Sequence, residues 1–159
     1  MELLSIIVSI IALLLSILVA IKQSHDAKSS DSVSAVLELF AEFRKPELVE
    51  ARQTVIHKLS VDNYCPEVGL YGLPDEVKHS ALSVSHFFDH VGVLVAHNLV
   101  NREAIIGWIG DSAIYCWDSL FPYIVAERKI RNAPYQEYFE LLYEAIQKNP
   151  PSRIRAKFK

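Results

Sequence analysis

The chain has 159 residues, a hydrophobic share of 51% and a net charge of −3. No overall basic field points to nucleic acid, and neither GxGxxG nor GxxxxGK[ST] occurs to cradle a phosphate. Its two cysteines, Cys65 and Cys116, are far apart and form no CxxC, which leaves no disulfide framework and no zinc pattern; both read as reduced thiols.

The mean hydropathy of +0.19 is high for a soluble domain, and the excess sits at the start of the chain. Leu3 to Ile21 carries no charge, and all of it except Ser5, Ser9, Ala12, Ser16 and Ala20 is Leu, Ile or Val. A helix of that length spans about 28 Å, close to the roughly 30 Å hydrocarbon layer of a bilayer. A cleaved signal would need a basic start and a small-residue exit, and neither is present. The stretch therefore reads as a transmembrane anchor. Lys22 and Lys28 follow it and no basic residue precedes it, so the N-terminus is expected outside and the rest in the cytoplasm. The five small residues fall within roughly 80° of one another on a helical wheel. Such a stripe lets two membrane helices approach closely, so Ser5, Ser9, Ala12, Ser16 and Ala20 are expected to mediate self-association.

Residues 23–32 form a polar, serine-rich linker or a helix extension. From residue 33 the apolar period is helical, through Val33, Val36, Leu37 and Phe40. Pro46 and Glu47 open a second helix reaching about Ser60. Residues 61–73, with Pro66, Gly69 and Gly72, form an apolar loop expected to pack on the bundle. Pro74 to Val100 reads as a long helix, Asn101 as a break, and the next helix continues to about Arg131 with Pro122 kinking it. Pro134 and Tyr135 open the last helix, and Pro150-Pro151 closes it. The expected fold is all-α, a transmembrane helix followed by a cytoplasmic bundle of four or five helices. The expected divisions are an anchor over 1–22, the linker 23–32, a helical domain over 33–149 and a basic tail over 150–159.

Four of the six histidines lie between residues 79 and 97. On one helix His79, His86, His90 and His97 point within about 40° of one direction, opposite Val77, Ala81, Val84, Phe88, Val91, Val95 and Leu99. This is first the polar face of an amphipathic helix. Two chemical readings stand beside it. His86 and His90, one turn apart, are the only pair able to share a metal ion, which would need further ligands from elsewhere. The whole stripe would gain positive charge near pH 6 and act as a pH-sensitive contact surface. In the next helix Ile106, Ile109, Ala113, Trp117, Leu120 and Ile124 form a core face. Asp111 and Asp118 are two turns apart, too far to work as an acid/base pair by themselves. Trp108 and Tyr115 mark an aromatic contact patch. The tail places Arg153, Arg155, Lys157 and Lys159 where they would meet anionic lipid or solvent.

FFDHVGVLV, GD, Trp117, PYIVAER and YQEYFELL, at Phe87, Phe88, Asp89, Gly92, Gly110, Asp111, Pro122, Tyr123, Arg128, Tyr138 and Phe139, resemble a broad bacterial family of small proteins. Its members carry one N-terminal membrane span and a helical domain of unknown function. The resemblance runs over about residues 80–145. It implies architecture and cellular setting and supplies no catalytic residue. The acid after the paired aromatics is more often Glu in that family and is Asp89 here. An internal pairing of Arg128 with Asp89 or Asp111 is expected. The reading that follows is a single-pass inner-membrane protein, not an enzyme and without a resident cofactor, whose cytoplasmic domain binds another protein or a second copy. The alternatives are a metal-dependent membrane enzyme built on His86 and His90, and a pH-responsive membrane-surface sensor.

Overall fold

A computed structural model of the chain describes residues 13, 15–17, 19 and 33–157. The chain divides into two units, Met1–Ala35 and Val36–Lys159. In the first, residues 13, 15–17 and 19 are helical, and Leu13, Leu15, Ile17 and Val19 are exposed. The rest of the 3–21 stretch, including Ser5, Ser9, Ala12 and Ala20, lies outside the described residues. No helix among the described residues is long and apolar enough to cross a membrane.

The described residues of the second unit are all helix, turn and loop. Helix α1 covers residues 33–43. Pro46 then starts α2 (Pro46–His57), where its missing N–H costs nothing. A 3-10 turn (Pro66–Val68) interrupts the following loop. Helix α3 (Asp75–Ala96) opens with Asp75 and Glu76, whose charges suit the positive end of a helix. Helix α4 (Arg102–Arg131) is capped by the Asn101 side chain, which accepts from the Ala104 N–H at 3.0 Å. Helix α5 (Glu137–Lys148) and the short α6 (Pro151–Ala156) complete the unit.

Helix α3 packs against α2 and α5, and α4 packs against α2, α3, α5 and α6. The core follows the apolar periods of the sequence. Val77, Ala81, Val84, Phe88, Val91 and Val95 of α3 are buried, as are Ile106, Ile109, Ala113, Trp117, Leu120 and Ile124 of α4. Phe88 stacks on Phe139 of α5 with ring centroids 5.0 Å apart, and Trp117 meets the same ring edge-on at 4.9 Å. Full burial of each such side chain stabilises by roughly 1.5–3 kcal/mol. Phe43 of α1 joins this cluster through Phe87 and Trp108, and the Arg52 guanidinium lies 3.5 Å from its ring centre.

Several boundaries differ from the sequence expectation. Helix α3 ends at Ala96 instead of Val100, because Asn98 takes a left-handed conformation (φ 54°) that asparagine tolerates. Leu99 consequently leaves the helix and is 53% exposed instead of buried. Helix α5 starts at Glu137 and not at Pro134-Tyr135, because Gln136 is also left-handed (φ 57°). Helix α4 runs through Pro122 to Arg131 as a single helix of 30 residues, the extent expected from the sequence. Pro150-Pro151 closes α5 but also starts α6, so residues 151–156 are a docked helix and not a frayed tail. Ile154 is buried there against α4, next to Gly107.

Candidate interaction surface

The polar side chains of the helical unit divide between structural work and open surface. Asp89, the acid of the FFDH motif, belongs to the first class. Helix α5 has no side-chain cap of its own at Gln136. Asp89 reaches across from α3 and accepts the Phe139 N–H at 3.0 Å, supplying that cap from another helix. Gly92, one turn further along α3, lies so close to the Tyr138 carbonyl that an added Cβ would overlap it. Together these two residues set α3 against the first turn of α5.

Arg128 is paired differently from the expectation. Asp111 is taken by Arg155 of α6 at 2.8 Å, and Asp89 by the α5 cap. Arg128 instead bonds the Tyr135 carbonyl at 2.8 Å and the Glu140 carboxylate at 2.8 Å. It clamps the turn between α4 and α5, the turn that holds Gln136 in its left-handed conformation. Next to it the buried Glu127 carboxylate accepts from Arg131 Nε at 2.6 Å and from the Tyr71 N–H at 3.4 Å. The Arg131 guanidinium lies between the rings of Tyr71 and Tyr135, 4.8 and 4.6 Å from their centres. The hydrogen bond that Arg131 donates to Glu127 holds the Arg131 pKa above its ordinary value. This knot pins the 61–73 loop to α4. Gly69 (φ 65°) sits against Glu127, where a side chain would collide with the carboxylate. Leu70 and Leu73 are buried, and Tyr123 donates to the Tyr64 carbonyl at 2.8 Å, whereas Val68 and Tyr71 stay exposed. Burial pushes the Tyr123 phenol above its ordinary pKa.

All four stripe histidines are exposed. His86 and His97 face tyrosine hydroxyls across 3.4 Å, His86 that of Tyr135 in the α4–α5 turn and His97 that of Tyr138 in α5. His97 itself is the residue after α3 and not part of it. His90 lines an open hollow of about 380 Å³ with Glu42, Lys45, Glu47, Leu48 and Phe87. His86 and His90 keep their spacing of one turn, and no cluster of three His, Cys, Asp or Glu side chains able to hold a metal occurs among the described residues. His79 is exposed near the start of α3. Of the basic tail, Arg155 and Lys157 are engaged within the domain, with Asp111 at 2.8 Å and Glu103 at 2.7 Å. Arg153 is exposed, and Lys159 lies outside the described residues. Cys65 is exposed and Cys116 buried; burial pushes the Cys116 thiol up to about 12, with Arg52 pulling weakly the other way.

The sequence reading placed its aromatic patch on Trp108 and Tyr115. Trp108 is half-buried under Phe40 and Phe43, with centroids 3.7 and 4.8 Å away, so it belongs to the α1 contact. Tyr115 is 61% exposed. The aromatic surface that forms a concavity lies further along, between α4 and α5. Trp117, Phe121 and Tyr143 line a groove of about 370 Å³, together with the carboxylates of Asp118, Glu140 and Glu144. Trp117 supports it from the core and stacks on Tyr143 at 5.6 Å, while Phe121 is 42% exposed. Glu140 is bonded to Arg128, Glu144 has Lys148 at 3.6 Å, and no ion pair reaches Asp118 among the described residues. Pro122 lacks the N–H that would close on the Asp118 carbonyl, so the helix withholds a donor at the same residue. Sequence reading missed this groove because Tyr143 and Glu144 join Trp117 and Phe121 only once α5 folds back along α4.

Among curated proteins and among solved structures, none matches the chain. A family model does, over residues 3–146: the domain of unknown function DUF4760. That match covers most of the sequence and includes the capping aspartate, the close-packed Gly92 and the aromatic groove, and the chain belongs to the DUF4760 family.

Proposed function

We propose that this protein is a membrane-tethered interaction module. Residues 3–21 hold it in the inner membrane with the N-terminus outside, and the helical unit on the cytoplasmic side docks another protein through the α4–α5 groove. The observation that carries the docking face is the groove itself. Phe121 and Tyr143 open into this concavity over the buried Trp117, and aromatic residues in a pocket are the usual anchors of protein interfaces. The tether is supported by the uncharged run from Leu3 to Ile21 and by the lysines that follow it. Exposure of Leu13, Leu15, Ile17 and Val19 on a helix agrees with a surface made for lipid. Alkaline carbonate should leave the protein in the membrane pellet, and a C-terminal reporter should be active only in the cytoplasm. Release into the supernatant, or activity outside, overturns the tether. The docking face is tested separately, with a photoreactive residue at Phe121.

A further inference from the structure

The geometry points to a basic peptide segment of another protein, arginine or lysine interleaved with apolar residues, as the occupant of the α4–α5 groove. This deepens the docking reading above and rests on it.

Charge is the first argument. The groove presents three carboxylates around the rings of Phe121 and Tyr143, with Trp117 buried beneath them, and no cationic side chain lines it. Arg128 offsets Glu140 and Lys148 approaches Glu144, which leaves Asp118 as the acid without an ion pair among the described residues. An acidic or purely apolar segment would bury that carboxylate beside aromatic rings without compensation. A guanidinium or ammonium pairs with it and also finds ring faces suited to a cation.

The second argument is that the fold already recognises cations in this way. Arg52 lies over Phe43, and Arg131 lies between Tyr71 and Tyr135 while bonded to Glu127. Helix α6 shows the same recognition for a whole segment. It seats the apolar Ile154 on α4 and places the flanking Arg155 and Lys157 on Asp111 and Glu103. Asp118, two turns beyond Asp111, continues the acidic line of α4 past the start of α6, whose Pro151 lies against Gly110. The volume of about 370 Å³ and its open mouth suit one or two side chains projecting from such a segment.

The test uses the full-length chain in an uncharged detergent and a fluorescent short peptide alternating arginine and leucine, read by anisotropy. Saturable binding is expected, weakened at least about tenfold by Asp118→Lys combined with Glu144→Lys. Both positions are exposed, and an unchanged helical circular dichroism signal confirms that the variant is folded. Phe121→Ala should weaken binding while leaving every charge in place. The inference is overturned if the charge-reversed variant binds as tightly as the parent, or if the peptide with glutamate for arginine binds equally well. It is also overturned if tetramethylammonium alone displaces the peptide at lower concentration than the peptide needs to bind, which would mark a small-cation site. Loss of peptide binding as the protein's own concentration rises would make the occupant a second copy and would overturn it too. A partner cross-linked from Phe121 in cells, with no affinity for the basic peptide, would remove the charge assignment and leave the docking face standing.

Discussion

Asp89 carries the most quantitative consequence of this fold. Its carboxylate accepts the Phe139 N–H at 3.0 Å, and Gln136 offers α5 no side-chain cap of its own. Removing an N-cap acceptor costs roughly 0.5–2 kcal/mol, and a negative charge at a helix N-terminus adds about 0.3–1 kcal/mol. Asp89 is half-buried, so solvent screens the second contribution incompletely. Asp89→Ala should therefore destabilise the helical unit by about 1–3 kcal/mol. Asp89→Asn, which keeps an acceptor and loses the charge, should cost no more than about 1 kcal/mol. Urea unfolding of the full-length chain in uncharged detergent, followed by circular dichroism, measures both. Asp118→Ala, an exposed acid one helix away, is the control and should stay within about 0.5 kcal/mol of the parent. The capping argument is refuted if Asp89→Ala also stays within that margin, or if Asn costs as much as Ala.

Gly92→Ala should cost roughly 1–3 kcal/mol or more in the same assay, because the new methyl meets the Tyr138 backbone carbonyl and only a shift of α5 relieves it; parent-like stability would contradict the close approach. A thiol reagent at pH 8 should modify Cys65 quickly and Cys116 only after urea, since burial removes the Cys116 side chain from solvent and raises its pKa to about 12; two equally fast thiols in the folded protein would contradict it. The buried Tyr123 phenol, raised above its ordinary value of 10.0, favours the neutral form in the folded state. Its contribution is therefore complete below about pH 10 and is lost as pH rises through the folded-state value. Tyr123→Phe should lower stability by about 0.5–1.5 kcal/mol at neutral pH through the lost hydrogen bond and flatten the alkaline fall; an unchanged alkaline slope would count against it.

Much of this architecture was legible in single residues. The apolar period assigned the buried faces of α3 and α4, Asn101 marked the α3–α4 break, and Pro46 marked the start of α2. The misplaced ends share a cause. Asn98 and Gln136 take left-handed conformations, and at Gln136 the turn is clamped by Arg128, whose bond to the Tyr135 carbonyl no spacing rule reveals. The sequence around 134–136 does offer one clue: PYQ has no serine, threonine, aspartate or asparagine to cap α5, so an acceptor had to come from elsewhere. The basic tail has pairings that the sequence does not reveal. Alternating Arg153, Arg155, Lys157 and Lys159 look lipid-directed until Asp111 and Glu103 are seen to lie within reach of Arg155 and Lys157. The aromatic groove was the least legible feature, because it is made by two helices and no one segment contains it.

The docking face is tested most directly by placing a photoreactive amino acid at Phe121 in living cells and comparing it with the same residue at Val61, an exposed apolar position on the loop. One discrete membrane-associated adduct from position 121, weak or absent from 61, is the predicted result. Equal adducts from both positions, or none from 121 while the protein is folded and in the membrane, would contradict the groove as the surface through which this protein acts.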